Sequence, residues 1–331
     1  MNGVHNWNGV YSIEMFQDDS LVYQFEMESF SFAESRYINA HLDYEEQVTK
    51  KSYFNRCYIL PGNNLTTYPY QINHGVINLH KNKASKIEMR TRDIAGNLSK
   101  LIFWVKRKTV EPKDDGKTFN YILPYDQENI VQNDYFKAHF PNGSFYENLY
   151  LKYSSTAERS TGYYSSVHHL HDYKTPVHKY FSLAIKPRSL PDELHEKAFI
   201  AYCDKDNKIS SFGGKWKDGM LQAMVRDLGD FCIMVDEVPP VIKPIHYQRN
   251  MKSFSKMTFK ITDNIETTGR ARGLKYKARV DGQWILMEYD AKKDLLIYRF
   301  DNRIAAGEHQ LVLELWDNRN NKTIFEGSFV R

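Results

Sequence analysis

Lys86-Ile87-Glu88-Met89-Arg90-Thr91, then Asp93-Ile94-Ala95-Gly96-Asn97, then Leu101-Ile102-Phe103-Trp104-Val105: the reading of this stretch decides the fold. Its first part alternates apolar and polar residues, the period of a half-buried strand. Its middle part suits a turn, because Asp and Asn side chains cap local backbone groups and Asn tolerates left-handed backbone. Its last part is a second strand. The same order returns near the other end of the chain. Gln310-Leu311-Val312-Leu313-Glu314-Leu315-Trp316 enters Asp317-Asn318-Arg319-Asn320-Asn321, and Ile324–Val330 leaves it. Asp93 and Asn97 share the spacing of Asp317 and Asn321, so one β module is read as used twice.

The surrounding sequence fits that plan. Val10–Phe16 and Leu21–Met27 flank the turn Gln17-Asp18-Asp19-Ser20, a hairpin pattern. Phe32–Val48 is the main helical candidate, with Ser35 as its candidate cap. Tyr53–Leu60 reads as extended, before the turn Pro61-Gly62-Asn63-Asn64. Ahead of the second module copy, Leu274–Val280, Asp281-Gly282 and Trp284–Tyr289 predict another hairpin. Between the copies, Ser144–Tyr153, Tyr180–Ile185, Lys197–Cys203, Leu221–Val225 and Phe231–Val235 read as strands, with a turn at Lys217-Asp218-Gly219. The charged stretch Lys106–Lys117 reads as a linker. Asp236-Glu237-Val238-Pro239-Pro240 reads as a stiff junction, because neither Pro can donate to a ladder. Short strands with frequent turns, and no helix–strand alternation, predict an all-β chain. The expectation is three consecutive antiparallel β-sandwich domains at residues 1–110, 111–236 and 237–331, with one short helix in the first.

Composition bounds what such a chain does. Of 331 residues, 41% are hydrophobic and 26% charged, which excludes a disordered chain. The 23 Tyr and 19 Phe favour pleated surfaces. Net charge is +4 and the basic residues are scattered, so no nucleic-acid partner is expected. No apolar run approaches a membrane span, and Met1–Ser12 has no leader-like core, so a soluble chain without an export signal is expected. Cys57, Cys203 and Cys232 lie far apart without a C-x-x-C, and buried thiols are expected, with a Cys203–Cys232 pairing left open.

The chemistry-bearing residues are few. His168-His169-Leu170-His171-Asp172 contains a His-x-His and an overlapping His-x-x-x-Asp, residue types that zinc favours. His168, His169, His171 and Asp172 are therefore the candidate metal ligands. They share one short stretch, which makes a tetrahedral cage difficult, and a His-rich strand or loop is the preferred reading. No cofactor is expected, zinc being implied only if that cluster is a site. No Gly-x-Ser-x-Gly elbow and no Gly-x-x-x-x-Gly-Lys loop is present, so no catalytic residue is assigned. The Asp…Asn turns each offer too few oxygens to fill a calcium shell alone. Tyr163, Tyr164, Tyr173 and Trp216 are candidates for a sugar-stacking platform, against the alternative that they fill sandwich cores.

Several stretches together resemble the non-catalytic C-terminal region of M23-type (LytM-like) zinc metallopeptidases of Bacteroidota. They are Gly9–Glu14, Phe32–Asn39 with His41–Glu45, Tyr173–Lys179, Gly214–Gly219 and Trp284–Asp290, in order across essentially the whole chain. The outer modules also resemble bacterial Ig-like repeats, and the middle one a ZU5-type sandwich. The family's catalytic domain takes zinc from a His-x-x-x-Asp and a separate His-x-His far apart in sequence. Here the only such patterns overlap between His168 and Asp172, so the resemblance carries no catalytic residue onto this chain. It implies a chain that begins where the peptidase domain would have ended, and a place in the cell envelope. The resulting expectation is a non-enzymatic binding or scaffolding region, partnered by an M23-like catalytic domain, peptidoglycan or another protein. The alternatives are a stand-alone Ig-like adhesion or glycan-binding protein, and a metallohydrolase with a zinc site at the His cluster.

Overall fold

Met15 and Tyr23 face each other across the first hairpin, and their alternation with polar neighbours fixes which side of the first sheet is buried. The computed structural model describes residues 9–29, 31–108, 118–157, 161–204, 206 and 208–331. The first unit is a five-stranded sheet of β1 (Ser12–Gln17), β2 (Ser20–Glu26), β3 (Tyr70–Gln71), β4 (Ala84–Arg92) and β5 (Leu98–Lys106), in the order β3-β2-β1-β4-β5. Asp18 and Asp19 sit at φ 49° and 65°, the left-handed pair that lets a two-residue turn follow strand twist. Asp18 Oδ1 also accepts from Lys86 N at 2.9 Å, tying the turn to β4.

Ile13, Met15, Tyr23, Phe25 and Ile87 form the buried face. The layer opposite it is helical and irregular rather than a second sheet. The expected helix over Phe32–Val48 is broken into a 3₁₀ turn at Ser35–Tyr37, a turn at Ile38–His41 and a helix at Tyr44–Lys50. Leu42 is extended, and Asp43 rather than Ser35 caps the last piece, accepting from Glu46 N at 3.2 Å. Ser35 Oγ instead donates to the Phe32 carbonyl. Tyr53–Leu60 is irregular, with the single bridge Leu42↔Asn55.

The middle unit is a sandwich. One sheet contains Tyr153–Thr156, Val167–Leu170, Gly229–Val235, Ala198–Cys203 and Ile209–Ser211; the facing sheet contains Lys215–Lys217, Met220–Val225, Phe181–Ile185, Phe136–Phe140 and Asn129–Asn133. Phe136, Phe140, Phe181, Leu183, Ile200 and Phe231 fill the space between them. The strand expected from Ser144 begins only at Leu149.

The last unit has two four-stranded sheets around Met257, Phe259, Leu296, Leu311, Leu313 and Phe329. Asp281 and Gly282 make the expected left-handed turn, at φ 50° and 80°. The strand expected over Trp284–Tyr289 is two. Gln283–Ile285 pairs with Lys275–Val280 in one sheet, and Glu288–Asp290 pairs with Leu295–Arg299 in the other. Buried Met287 is the corner where the chain changes layer. The chain is thus all-β, built of several antiparallel sheets in sandwich layers with a short helical segment, as the pattern of its strands predicts.

The matched Asp…Asn turns are the same structure. Asn97 N and Nδ2 donate to Asp93 Oδ1 and Oδ2 at 2.9 and 2.7 Å. Asn321 N and Nδ2 donate to Asp317 Oδ1 and Oδ2 at 2.8 and 2.6 Å. The middle unit holds a third version, in which Asp204 Oδ1 accepts from Asp206 N and Lys208 N at 2.9 and 2.8 Å. The turn at Asp93 is exposed, whereas that at Asp317 is buried against the middle unit. There Lys197 Nζ donates to Asn321 Oδ1, Asn321 Nδ2 to the Asp236 carbonyl and Arg319 Nη1 to the Ala198 carbonyl. Ile209–Ser211 also pairs in parallel with Glu266–Thr267 of the last unit. The junction Asp236–Pro240 is therefore braced from both sides. Of the linker expected at Lys106–Lys117, residues 109–117 lie outside the described residues.

Candidate functional site

Two of the stretches that carry the family resemblance meet in space. Arg36 donates from Nε and Nη2 to the Val177 carbonyl at 3.0 and 2.8 Å. Tyr146 Oη donates to the Arg36 carbonyl at 2.8 Å, and Gly62 N donates to the Tyr146 carbonyl at 2.7 Å. A methyl group on Gly62 would lie 2.8 Å from the Phe145 carbonyl oxygen, so only glycine permits this approach. The Tyr37 ring stacks on His178 with centroids 4.1 Å apart. Burial and the adjacent Arg36 guanidinium hold the His178 pKa down at about 4. Lys174 and Glu45 close the rim with a 2.9 Å ion pair.

This docking leaves a cleft of about 1150 Å³ between the first and middle units. Its first-unit wall is the capped helix start, Asp43, Tyr44 and Glu45, with Arg56 and Leu60. Its middle-unit wall comprises Phe145–Tyr150, Lys152, the segment from His171 to Pro176, and the strand face with His169, Tyr202, Cys203 and Asp230. Phe119 and Tyr150, both exposed, pack edge to face at 5.0 Å along it. The lining thus alternates aromatic faces with carboxylates, amines and amides, groups that bind a polar, extended ligand.

The His cluster is split by strand alternation. Val167–Leu170 turns His168 inward, where it is 1% exposed, stacks on Phe136 and meets Tyr153 Oη at 2.9 Å. Burial lowers its pKa to about 4. His169 points to the opposite face. Its Nδ1 lies 2.8 Å from Asp230 Oδ1 and its Nε2 2.9 Å from Thr156 Oγ1. His171 sits in a left-handed bend at φ 60°, its Nδ1 accepting from Lys152 N at 3.2 Å. Burial lowers its pKa also. Asp172 caps the next turn, accepting from Lys174 N at 3.0 Å. His169, His171 and Asp172 line the cleft and His168 does not.

Thr156, His169 and Asp230 form a hydroxyl–imidazole–carboxylate line: His169 lies between Ser154 and Asp230 across the strands, and Thr156, two residues on from Ser154, reaches it diagonally. The order is that of a nucleophile, base and orienter. The His169 and Asp230 side chains are 35% and 41% exposed, so water competes for each hydrogen bond. As built, the line is a polar ladder on a sheet face.

Of the four aromatic candidates, Tyr173 lines the cleft. Trp216 stacks on His195 at 4.5 Å and donates from Nε1 to the His195 carbonyl at 3.0 Å, so that ring face is covered. Tyr164 packs against the sandwich interior, and Tyr163 against Phe199 and Cys232 on the outer face. Sequence reasoning missed Tyr44, Phe119, Tyr150, Tyr202 and Lys152, and Tyr44 joins the other four only through the docking of the two units. Cys203 and Cys232 are thiols on adjacent strands, and the hydrogen bond between them lowers the Cys203 pKa. Burial pushes the Cys57 thiol up to about 11.

A second polar grouping lies at the other seam. Carboxylate oxygens of Asp236, Asp263 and Asp317 lie within 4.8 Å of one another. Burial, then the Asp317 and Asp236 carboxylates, push the Asp263 pKa up to about 6. Both Asp317 oxygens are already taken by donors of its own turn.

A Zu5-like domain family matches residues 120–236, the middle unit. No curated protein matches the chain. Among solved structures, one similar chain is a Ca2+-stabilized adhesin that helps an Antarctic bacterium reach out and bind ice. The likeness has 8% identity and a TM-score of 0.18, over 98% of this chain and 90% of that one. At that TM-score it supports no statement about fold or function. The middle unit is thus a ZU5-like β-sandwich, and no helix among the described residues is long and apolar enough to cross a membrane.

Proposed function

We propose that this chain is a non-catalytic binding and scaffolding region, and that its ligand lies in the cleft between the first and middle units. The observation that carries the reading is the cleft itself, lined by Tyr44, Phe119, Tyr150 and Tyr173 with Lys152 and Asn148 among them. Aromatic faces give apolar area to sugar rings or peptide side chains, and the amine and amide supply hydrogen bonds. The hydrogen-bonded docking around Arg36 and Gly62 preorganises the two walls. The setting that the M23 resemblance suggests is the cell envelope, with peptidoglycan as the ligand and an M23-like catalytic domain held nearby.

Co-sedimentation with purified sacculi tests this. The parent chain is expected in the pellet, and Tyr150→Ala with Tyr173→Ala is expected to weaken binding about thirtyfold, each stacked ring contributing roughly 1 kcal/mol. Equal retention of parent and variant would remove the cleft from the account. The exposed Phe119–Tyr150 pair also suits the second reading, a stand-alone adhesion or glycan-binding protein. Binding to soluble glycans lacking stem peptides, with none to sacculi, would favour it.

A further inference from the structure

Two arginines stack on the Tyr180 ring, with the guanidinium carbon of Arg226 4.3 Å and that of Arg270 4.2 Å from its centroid. Two guanidiniums cannot share one ring face at that distance, so they take opposite faces. They come from different units. Phe181 pairs with Val225 in the middle sandwich, and continuing that register sets Tyr180 opposite Arg226. Arg270 belongs to the last unit and sits in a tight turn, where Ala271 N donates to the Thr268 carbonyl at 3.1 Å. Thr268 N donates to the Ser211 carbonyl at 2.9 Å, which ties the turn to the middle unit. Gly269, at φ 62°, lets the turn press on Phe212, whose Cε1 would stand 2.7 Å from an added methyl group. The seam between two units thus sets all three side chains, and none of them lines the cleft.

Four arginines among the described residues stack on aromatic rings, and two of them have their donors met. Arg90, over Phe16, is held by Glu88 at 2.6 Å. Arg331, over Phe300, donates to the Met251 and Phe254 carbonyls. Arg226 and Arg270 differ: neither makes a hydrogen bond or ion pair with any described residue, and nor does the Tyr180 hydroxyl. A stacked guanidinium spends its face on the ring and keeps its N–H edge free, the edge that grips an oxyanion through two parallel bonds. Asp227, next in the chain to Arg226, pairs with neither arginine. Arg36 adds to the positive charge, its pKa lowered first by burial and then by the charge of Arg226.

We infer that Arg226 and Arg270 clamp a phosphate group, free or carried on an ester, at the edge of Tyr180. Both stacks hold their guanidiniums before the ligand arrives, so little side-chain freedom is lost on binding. A tetrahedral phosphate has the oxygens and charge to take donors from both sides, whereas a carboxylate, with two oxygens in one plane, suits a single fork. Since the two halves of the clamp belong to different units, the bound group also fastens the last unit to the middle one.

Equilibrium dialysis of the full chain against radiolabelled inorganic phosphate, at physiological salt, is the test. Saturable binding of one phosphate per chain is expected. Arg226→Gln and Arg270→Gln are each expected to weaken it about tenfold or more, each removing a charge-assisted fork. Arg270→Lys keeps the charge but loses the fork, and Tyr180→Ala keeps both arginines but removes the ring that orients them. Both are expected to weaken binding nearly as much, which a diffuse positive surface would not show. Arg270 is exposed, so an unchanged melting temperature in chloride identifies its variants as folded. Co-sedimentation with phosphatidylglycerol vesicles, read against phosphatidylcholine vesicles, distinguishes the sources. Retention that Arg270→Gln abolishes places the phosphate on a lipid headgroup, and binding of free phosphate without retention places it on a soluble ester. A parent chain that binds neither form overturns the inference, as does binding that Arg270→Lys and Tyr180→Ala leave intact.

Discussion

His41, His168 and His178 are imidazoles that the fold holds neutral, each with its pKa lowered to about 4, chiefly by burial. In the unfolded chain they titrate near the ordinary 6.5. Between those values the unfolded state binds protons that the folded state refuses, so stability is complete above about pH 6.5 and lost as pH falls toward 4. His168, 1% exposed in the interior of the middle sandwich, contributes on the order of 3 kcal/mol of this. The urea midpoint is expected to fall steadily across that window, and a flat profile would contradict the burial of these rings. Asp263 has the opposite sign. Its folded pKa is raised, so its contribution is present at low pH and lost as pH rises through about 6. Asp263→Asn is therefore expected to stabilise the protein above pH 7, by on the order of 1 kcal/mol after allowance for solvent screening. It is expected to do little at pH 4.5. Thermal melts at the two pH values measure the difference.

One turn is used in two environments. Asn97 and Asn321 make the same two hydrogen bonds to their aspartates, but Asn321 Nδ2 also donates to the Asp236 carbonyl and its Oδ1 accepts from Lys197. Asn97 is exposed, and water replaces its bonds when the side chain is removed. Asn97→Ala is expected to cost about 0.5–1 kcal/mol, and Asn321→Ala about 2–3 kcal/mol, because buried partners are then left unmet. Chemical denaturation of the two single variants checks the ratio, and equal costs would mean that the seam adds nothing to the turn. Helix capping follows the same logic. Asp43 wins over Ser35 because extended Leu42 ends the preceding turn and Glu45 and Glu46 favour a helix start immediately after it.

At the scale of the molecule, the first and middle units are joined through few groups. Arg36 supplies both bonds to Val177 and, through its own carbonyl, the one from Tyr146. Arg36→Ala removes two charge-assisted donors and leaves the Val177 carbonyl unmet at the seam, a loss of about 2–4 kcal/mol of docking. Calorimetry of the parent is expected to show the two units melting together, and the variant is expected to show an earlier, separate transition for the first. Sacculus retention would fall in parallel, since the cleft exists only while the units are docked.

Much of the architecture was legible before any tertiary structure. Alternation in β1, β2 and β4 announced the strands, and the Asp93/Asn97 and Asp317/Asn321 spacing announced identical turns, because both features depend on residues close in sequence. Phe181–Ile185, Ala198–Cys203, Met220–Val225 and Gly229–Val235 of the middle unit and the Asp281-Gly282 hairpin were legible for the same reason, whereas Asn129–Asn133, Phe136–Phe140 and Ile209–Ser211 were not read as strands. The broken helix was not, because the conformation of Leu42 depends on its bridge to Asn55. Nor was the change of sheet at Met287, which depends on the core that side chain enters. The cleft was the least legible feature. Of its lining, Tyr173, His169, His171 and Asp172 were the candidate site residues, and Lys174 and Glu45, which close its rim, stand 129 residues apart. The sequence determined an all-β chain with a repeated turn, since local periodicity and turn chemistry act within a few residues. Tertiary structure decided which faces are covered: it buried His168, covered Trp216 with His195, docked Arg36 on Val177 and left β5 open. Those outcomes depend on packing between segments far apart in the chain, which no local pattern encodes.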